Sequence, residues 1–384
     1  MKNFNLETMR IGFFTDTYFS QVNGVTYTID LWKRELAKIY KEKNIFVFYP
    51  NSEYKGSTNE ISLPSVKFPL YGGYKISLPS AKLLNLNLDV VHIHGLYSSA
   101  IFGISVAKKL KIPCIITYHT PTHLYTHYAT NLMSSYFSRS STKKISAVLQ
   151  KGLMKWEKFV LKSCDLITVP SNVIAGYLKE QGIENVKVIS NGIDINLFKE
   201  DTRQRNFQKD KNKLCIGYCG RIGIEKHLED LIFLAKKFDG EILIAGEGPA
   251  KKYYKQMANK ISKNIKFLGR IPHEELPKFY SCLDFLVFPS VVETQGLVAL
   301  EAMACGTPVI GADAMALKET ILAGKTGYLY KPGDVDELFT KLQNGYKNRE
   351  ILTKNCVDEA RKHSVENTVK ELRKIYEKIK TEKK

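Results

Sequence analysis

Short apolar runs alternate with helical patterns along the whole chain, and this alternation confines it to one class of fold. The runs Arg10–Thr15, Ile45–Tyr49, Val90–Ile93, Cys114–Tyr118, Leu166–Pro170 and Val186–Ile189 form a first series. Leu214–Cys219, Glu241–Ala245, Ile265–Leu268, Phe285–Phe288 and Pro308–Gly311 form a second. Short apolar strands separated by helices argue for parallel, doubly wound sheets. The series breaks at Ser190–Lys213. There Asn191-Gly192-Ile193-Asp194 turns the chain and a charged stretch from Lys199 follows. At 384 residues the chain exceeds one ordinary core. The expectation is an α/β protein of two Rossmann-like domains, residues 1–190 and 191–365, followed by a Lys- and Glu-rich helix over 366–384. Ligands of such sheets bind in the crevice at the carboxyl ends of the strands.

The charge is uneven. Of the net +18, residues 1–190 carry 23 Lys/Arg against 12 Asp/Glu, so the first half is the more basic. A basic surface favours polyanions. No zinc finger, RNA-binding aromatic motif or basic low-complexity tail is present, so nucleic acid is not the expected partner. An anionic membrane surface is. No segment is apolar for long enough to span a bilayer, and MKNFNLETMR lacks the apolar core of a signal peptide. Seven cysteines without paired spacing suit a reducing compartment. These features place the chain in the cytoplasm, with peripheral attachment to the membrane open to it.

Chemistry concentrates in VETQGLVALEAMACGTPVIG. The strand ending at Phe288-Pro289 leads into a loop bearing Glu293, then a helix read as Gly296 to Cys305 that carries Glu301 two turns in. A helix N-terminus behind a parallel strand offers N–H groups and positive charge to an anion. Acids beside it would repel phosphate, so their partners are hydroxyls of a sugar or ribose. Upstream, Gly220-Arg221-Ile222-Gly223-Ile224-Glu225-Lys226 places two cations between a strand and a helix, where Arg forks onto phosphate oxygens and Lys supplies a point charge. The spacing of Gly217, Gly220 and Gly223 does not match G-x-G-x-x-G, which excludes a dinucleotide fingerprint.

Glu293 and Glu301, with Thr294-Gln295-Gly296-Leu297 between them, resemble the Glu-x7-Glu signature of retaining glycosyltransferases of family 4. The resemblance spans roughly residues 10–365 and implies a GT-B architecture, two Rossmann-like domains facing across a cleft, with the last helix returning to the first domain. It also implies transfer of a hexose from a nucleotide diphosphate sugar with no required metal. Arg221 and Lys226 would neutralise the leaving diphosphate, Glu293 would hold the hexose and Glu301 the ribose. Thr294, Gln295, Gly296 and Leu297 would bind the donor at the helix start. Gly246-Glu247-Gly248-Pro249 resembles the family's glycine turn at the nucleotide edge. Ile271 falls where the backbone meets the base.

In the first domain, Gln21-Val22-Asn23-Gly24-Val25 resembles the family's first glycine loop, with a single glycine, Gly24, where many members have two. His119, after strand Cys114–Tyr118, becomes the active-site histidine. Of His92 and His94, one faces the ligand and the other is structural. His123 and His127 lie nearby, but no carboxylate completes a metal-binding set. Glu293-Thr294-Gln295-Gly296, Thr117-Tyr118-His119-Thr120 and Asn23-Gly24 resemble lipid-directed members such as diacylglycerol glucosyltransferases, and Phe68–Pro79, with Tyr71, Tyr74 and Leu78, resembles their acceptor-side loop. UDP-glucose and a membrane lipid are the implied substrates. A polysaccharide or small-metabolite acceptor, or a GT-B sugar-nucleotide epimerase, are the alternatives. Over Thr142–Cys164, the residues Ile145, Val148, Leu149, Gly152, Trp156, Phe159 and Val160 form an apolar stripe, beside a second stripe of Lys144, Lys151, Lys155, Lys158 and Lys162. The expectation is a helix packed on its sheet through the apolar stripe. The lysine face is either merely solvated or docked on anionic headgroups.

Overall fold

The computed structural model describes residues 8–19, 23–68, 74–125, 139–200 and 213–383. Its contacts divide the chain into two units: residues 1–170, 175–190 and 368–384 in one, residues 171–174 and 191–367 in the other.

The first unit is a seven-stranded sheet built from β1 (Ile11–Phe14), β2 (Ile45–Pro50), β3 (Glu60–Leu63), β6 (Val90–Ile93), β7 (Cys114–Thr117), β8 (Leu166–Val169) and β9 (Val186–Val188), in the order β3-β2-β1-β6-β7-β8-β9. All its pairings are parallel. A short antiparallel pair, β4 (Ser65–Lys67) and β5 (Lys75–Ser77), stands apart. The helices are α1 (Gly24–Tyr40), α2 (Ser98–Leu110), α3 (Arg139–Lys162) and α4 (Asn172–Glu180). The strand order reverses between β1 and β6, so the loops leaving those strands diverge and open a ligand crevice between them.

The second unit runs β10 (Leu214–Cys219), α5 (Leu228–Leu234), β11 (Gly240–Ala245), α6 (Lys251–Ile261), β12 (Ile265–Gly269), α7 (Leu276–Ser281), β13 (Phe285–Phe288), α8 (Leu297–Ala304), β14 (Val309–Ala312), α9 (Leu317–Thr320), β15 (Gly327–Tyr330), α10 (Val335–Lys347) and α11 (Arg349–Lys362). Its parallel sheet has the order β12-β11-β10-β13-β14-β15, reversing between β10 and β13. The final helix, α12 (Val365–Glu382), joins the first unit through residues from Thr368 onward. There the buried Tyr376 hydroxyl meets His92 Nδ1 at 2.7 Å, and Lys380 pairs with Asp89.

Helix α3 differs from the expected packing. Val148 and Phe159, assigned to its apolar stripe, are 71% and 63% exposed, whereas Glu157, Val160 and Leu161 are buried. At 3.6 residues per turn Val148 and Phe159 lie roughly 180–200° from Glu157, which is the centre of the packed face. A carboxylate in the middle of that face breaks the apolar pattern, so the expected stripe is rotated off the packed face: of its members Val160 is buried and Trp156 half-buried, while Val148, Leu149 and Phe159 face outward. The outer face therefore mixes Val148 and Phe159 with the exposed Lys151, Lys155 and Lys162. Lys144's side chain, Gln21, Val22, Tyr71 and His127 lie outside the described residues.

Candidate active site

The strand-order reversal in the second unit brings two loops together. One follows β10 and carries Arg221 and Lys226. The other follows β13 and carries Ser290 and Glu293. Lys226 Nζ lies 2.5 Å from Glu293 Oε1 and 3.3 Å from Ser290 Oγ. Both members of the ion pair are largely buried, so solvent screens it less than a surface pair. The pair holds a cation and a carboxylate together at the mouth of α8. Gly296 caps that helix at φ +82°, where a Cβ would meet Leu317 at 2.8 Å. The left-handed turn re-aims the chain, so the first N–H groups of α8 open toward the loop.

The loops at this sheet end are knitted by backbone. Gly246 N–H donates to Gly269 O at 2.7 Å, Gly220 N–H to Ala245 O at 3.1 Å and Ile222 N–H to Glu247 O at 2.9 Å. Gly246 sits at φ +137°, where a Cβ would come within 1.9 Å of Gly220 O. No side chain fits there. Arg221 and Glu247 are exposed on these loops, and Glu247 pairs with Lys251. Ile271 packs half-buried on the core of this unit.

Thr294 and Gln295 serve the loop itself. Thr294 O accepts from Ser171 Oγ at 2.7 Å. The buried Gln295 accepts the Asn191 N–H through Oε1 at 2.9 Å, and its carbonyl accepts from Thr320 Oγ1. Its side chain thus points inward, with the amide oxygen committed to the chain that opens this unit. Glu301, on α8, accepts from Tyr280 Oη at 2.8 Å. Burial pushes its carboxyl up to about 7, against the opposing pull of the Tyr280 hydrogen bond. The folded chain therefore binds this proton more tightly than the unfolded chain, whose carboxyl titrates near 4.5. The associated stability is complete below that value and is lost as pH rises toward 7. Glu301→Gln is expected to raise Tm at pH 8 and leave it unchanged at pH 4. Equal or lower Tm at pH 8 would contradict this environment for Glu301.

In the first unit, Gly24 opens α1, and Asn23 is its cap, accepting the Thr26 N–H at 3.0 Å. An asparagine where a second glycine is common is accounted for by that cap. The histidines separate by role. His92 bonds at both ring nitrogens, to Tyr376 Oη and to Thr117 Oγ1, each at 2.7 Å. Burial and the nearby His119 push it down to about 3, so it is neutral and structural. His94, 4% exposed, meets His119 Nε2 through Nδ1 at 3.0 Å. Desolvation, reinforced by His92 and His119, pushes it well below the ordinary value. Trp32 and Phe13 wall this pair, with ring centroids 5.4 and 5.1 Å from His94. His119 is half-buried at the carboxyl end of β7.

Two features define a class: in one unit a paired cation and acid at the strand-order reversal of a parallel sheet, in the other a histidine pair at the carboxyl ends of its parallel strands. Residues 22–197 match the model for Glycosyltransferase Family 4 and residues 199–363 that for Glycosyl transferases group 1. The alpha-monoglucosyldiacylglycerol synthase of Streptococcus pneumoniae is 30% identical over 349 residues, covering 84% of this chain and 75% of that protein. The protein of the same name from Acholeplasma laidlawii is 28% identical over 369 residues, 90% of each. Among solved structures, sucrose-phosphate synthase from Thermosynechococcus elongatus aligns with TM-score 0.74 at 19% identity over 97% of this chain and 99% of that one. Anabaena HepE in complex with UDP-glucose aligns with TM-score 0.69 at 18% identity over 96% and 100%. The chain belongs to the family 4 glycosyltransferases and has their GT-B fold.

Sequence reasoning does not find the direct Lys226–Glu293 contact, the His94–His119 contact or the burial of Glu157. The first two are accessible from strand order, which places the loops after β10 and β13, and after β6 and β7, side by side. Glu157 gives no signal beyond being an acid within an otherwise basic helix.

Proposed function

We propose that this enzyme is a retaining hexosyltransferase that moves glucose from UDP-glucose to the hydroxyl of a membrane diacylglycerol. The observation that carries the reading is Lys226 Nζ seated on Glu293 at the mouth of α8. The names of the S. pneumoniae and A. laidlawii relatives, and HepE's complex with UDP-glucose, support the choice of acceptor and donor. Lys226, Arg221 and the N–H groups of α8 stabilise the charge that develops on the departing diphosphate. Glu293 orients the hexose hydroxyls, Glu301 the ribose, and His119 hydrogen-bonds the transferring sugar. The loops of Gly246, Glu247 and Ile271 line the nucleotide, while Thr294, Gly296 and Leu297 present backbone to it. The fixed cations do what a divalent ion does in other transferases, so turnover is expected to survive chelation.

As an expected result, affinity for UDP-glucose rises by up to about tenfold in all between pH 6 and pH 8, most of it below pH 7, as Glu301 ionises and accepts ribose hydroxyls. Glu301→Gln flattens that profile. A wild-type profile already flat by calorimetry would remove Glu301 from the ribose site.

Among the described residues no helix is long and apolar enough to cross a membrane. Attachment to the bilayer would use the outer face of α3, where Val148 and Phe159 stand among lysines. Sedimentation with phosphatidylglycerol vesicles is expected to fall several-fold at high salt and with Phe159→Glu. Binding indifferent to both removes this surface. The reading as a whole is tested by mass analysis of products from UDP-, GDP- and ADP-sugars incubated with diacylglycerol vesicles. A glucosyl lipid formed from UDP-glucose supports it. Transfer only to a soluble saccharide, or epimerised nucleotide sugar without transfer, overturns it.

A further inference from the structure

Among the described residues, the buried carboxylate of Glu157 accepts four hydrogen bonds, all from the segment that follows β7. Oε1 takes Thr122 Oγ1 at 2.6 Å and the His123 N–H at 2.9 Å. Oε2 takes Tyr118 Oη at 2.6 Å and lies 2.8 Å from His123 Nδ1. His123 Nε2 in turn meets Tyr177 Oη on α4 at 2.8 Å. A carboxylate has about four lone-pair positions, and here each has a partner. Burial alone would raise this carboxyl. The hydrogen bonds from His123, Thr122 and Tyr118 outweigh it and hold the group below its ordinary value.

These donors bracket His119: Tyr118 precedes it and Thr122 and His123 follow. The neighbouring residue, Trp156, donates Nε1–H to Leu96 O at 2.7 Å, fixing the loop that begins at His94. Adjacent side chains of α3 therefore hold the two loops whose histidines meet. We propose that Glu157 is a positioning residue for His119, setting the backbone from which its ring reaches the transferring sugar. This rests on the function proposed above. Simple stabilisation of the first unit would not require every acceptor position to be committed to the residues flanking one histidine.

The test is a double-mutant cycle on the full chain, with kcat for glucosyl transfer from UDP-glucose to diacylglycerol vesicles as the readout and Tm measured alongside. Glu157→Ala is expected to lower kcat roughly 10- to 100-fold, the scale that misplacing a reacting group produces. In a His119→Ala background the same change is expected to have no further effect on kcat, although its cost in Tm persists. An undiminished, multiplicative loss in that background overturns the proposal while leaving the assignment of His119 intact. A His119→Ala enzyme with normal turnover overturns both. Should Glu157→Ala fail to fold, Tyr118→Phe removes a single donor and runs the same cycle: loss of its effect in the His119→Ala background supports the proposal, and a multiplicative loss overturns it.

Discussion

Lys226→Met is expected to lower kcat roughly 10²- to 10³-fold, the range seen when one fixed donor to a developing oxyanion is removed. The thioether side chain keeps the apolar stem and deletes only the charge. The complication is Glu293, which the substitution leaves largely buried without its cation, at a cost of about 1–3 kcal/mol. The double variant Lys226→Met/Glu293→Gln resolves it. Removing both charges is expected to restore Tm but not kcat, since the double variant lacks both the counter-charge proposed for the diphosphate and the carboxylate proposed to orient the hexose. Arg221→Ala, on an exposed side chain of the same loop, is expected to reduce kcat strongly with a smaller change in Tm. Wild-type turnover in either single variant would take the diphosphate away from this loop.

Gly246→Ala is expected to damage the second unit severely, because it combines backbone strain with a backbone clash. The left-handed φ alone costs about 1–3 kcal/mol for a residue with a side chain, and the new Cβ would overlap Gly220 O, a backbone atom that cannot rotate away. Relief requires the loops after β10 and β11 to part, which breaks the bonds of Gly220 and Ile222 to Ala245 and Glu247. The expected result is a loss of roughly 3 kcal/mol or more in urea denaturation (the strain plus the two hydrogen bonds), with UDP binding lost by calorimetry. Gly152→Ala is the contrasting change. A Cβ there meets nothing within 4 Å, and alanine in a helix is favoured over glycine by up to about 1 kcal/mol. Stability unchanged by Gly246→Ala would contradict the backbone geometry of the loops after β10 and β11.

How far the sequence discloses this molecule depends on whether a property is local. The strands are legible because Ile11–Phe14 or Phe285–Phe288 are apolar throughout and end at turn residues. The helix after Glu293 is legible because Gly296 and Gly306 bound it. Strand order is not, and with it go the Lys226–Glu293 contact, which arises from a reversal that no single stretch encodes, and the His94–His119 contact, which needs β6 and β7 to be neighbours. Helix α3 misleads for a sharper reason. Period-3.6 reasoning assumes that the packed face is the apolar one, and Glu157 sits at the centre of that face because tertiary donors offset its desolvation. Gln295 has the place of a ligand group in its loop, but its amide reaches Asn191, more than a hundred residues away.

The bond between Tyr376 and His92 ties the last helix into the interior of a unit that begins at the other end of the chain. Domains ordinarily complete themselves in turn as they leave the ribosome. Here the amino-terminal one stays unfinished until residue 376 has emerged, while the unit encoded in between is already whole. The half bearing the histidines is thus the last to mature, so a nascent chain acquires the half that holds Lys226 and Glu293 before it can acquire the rest.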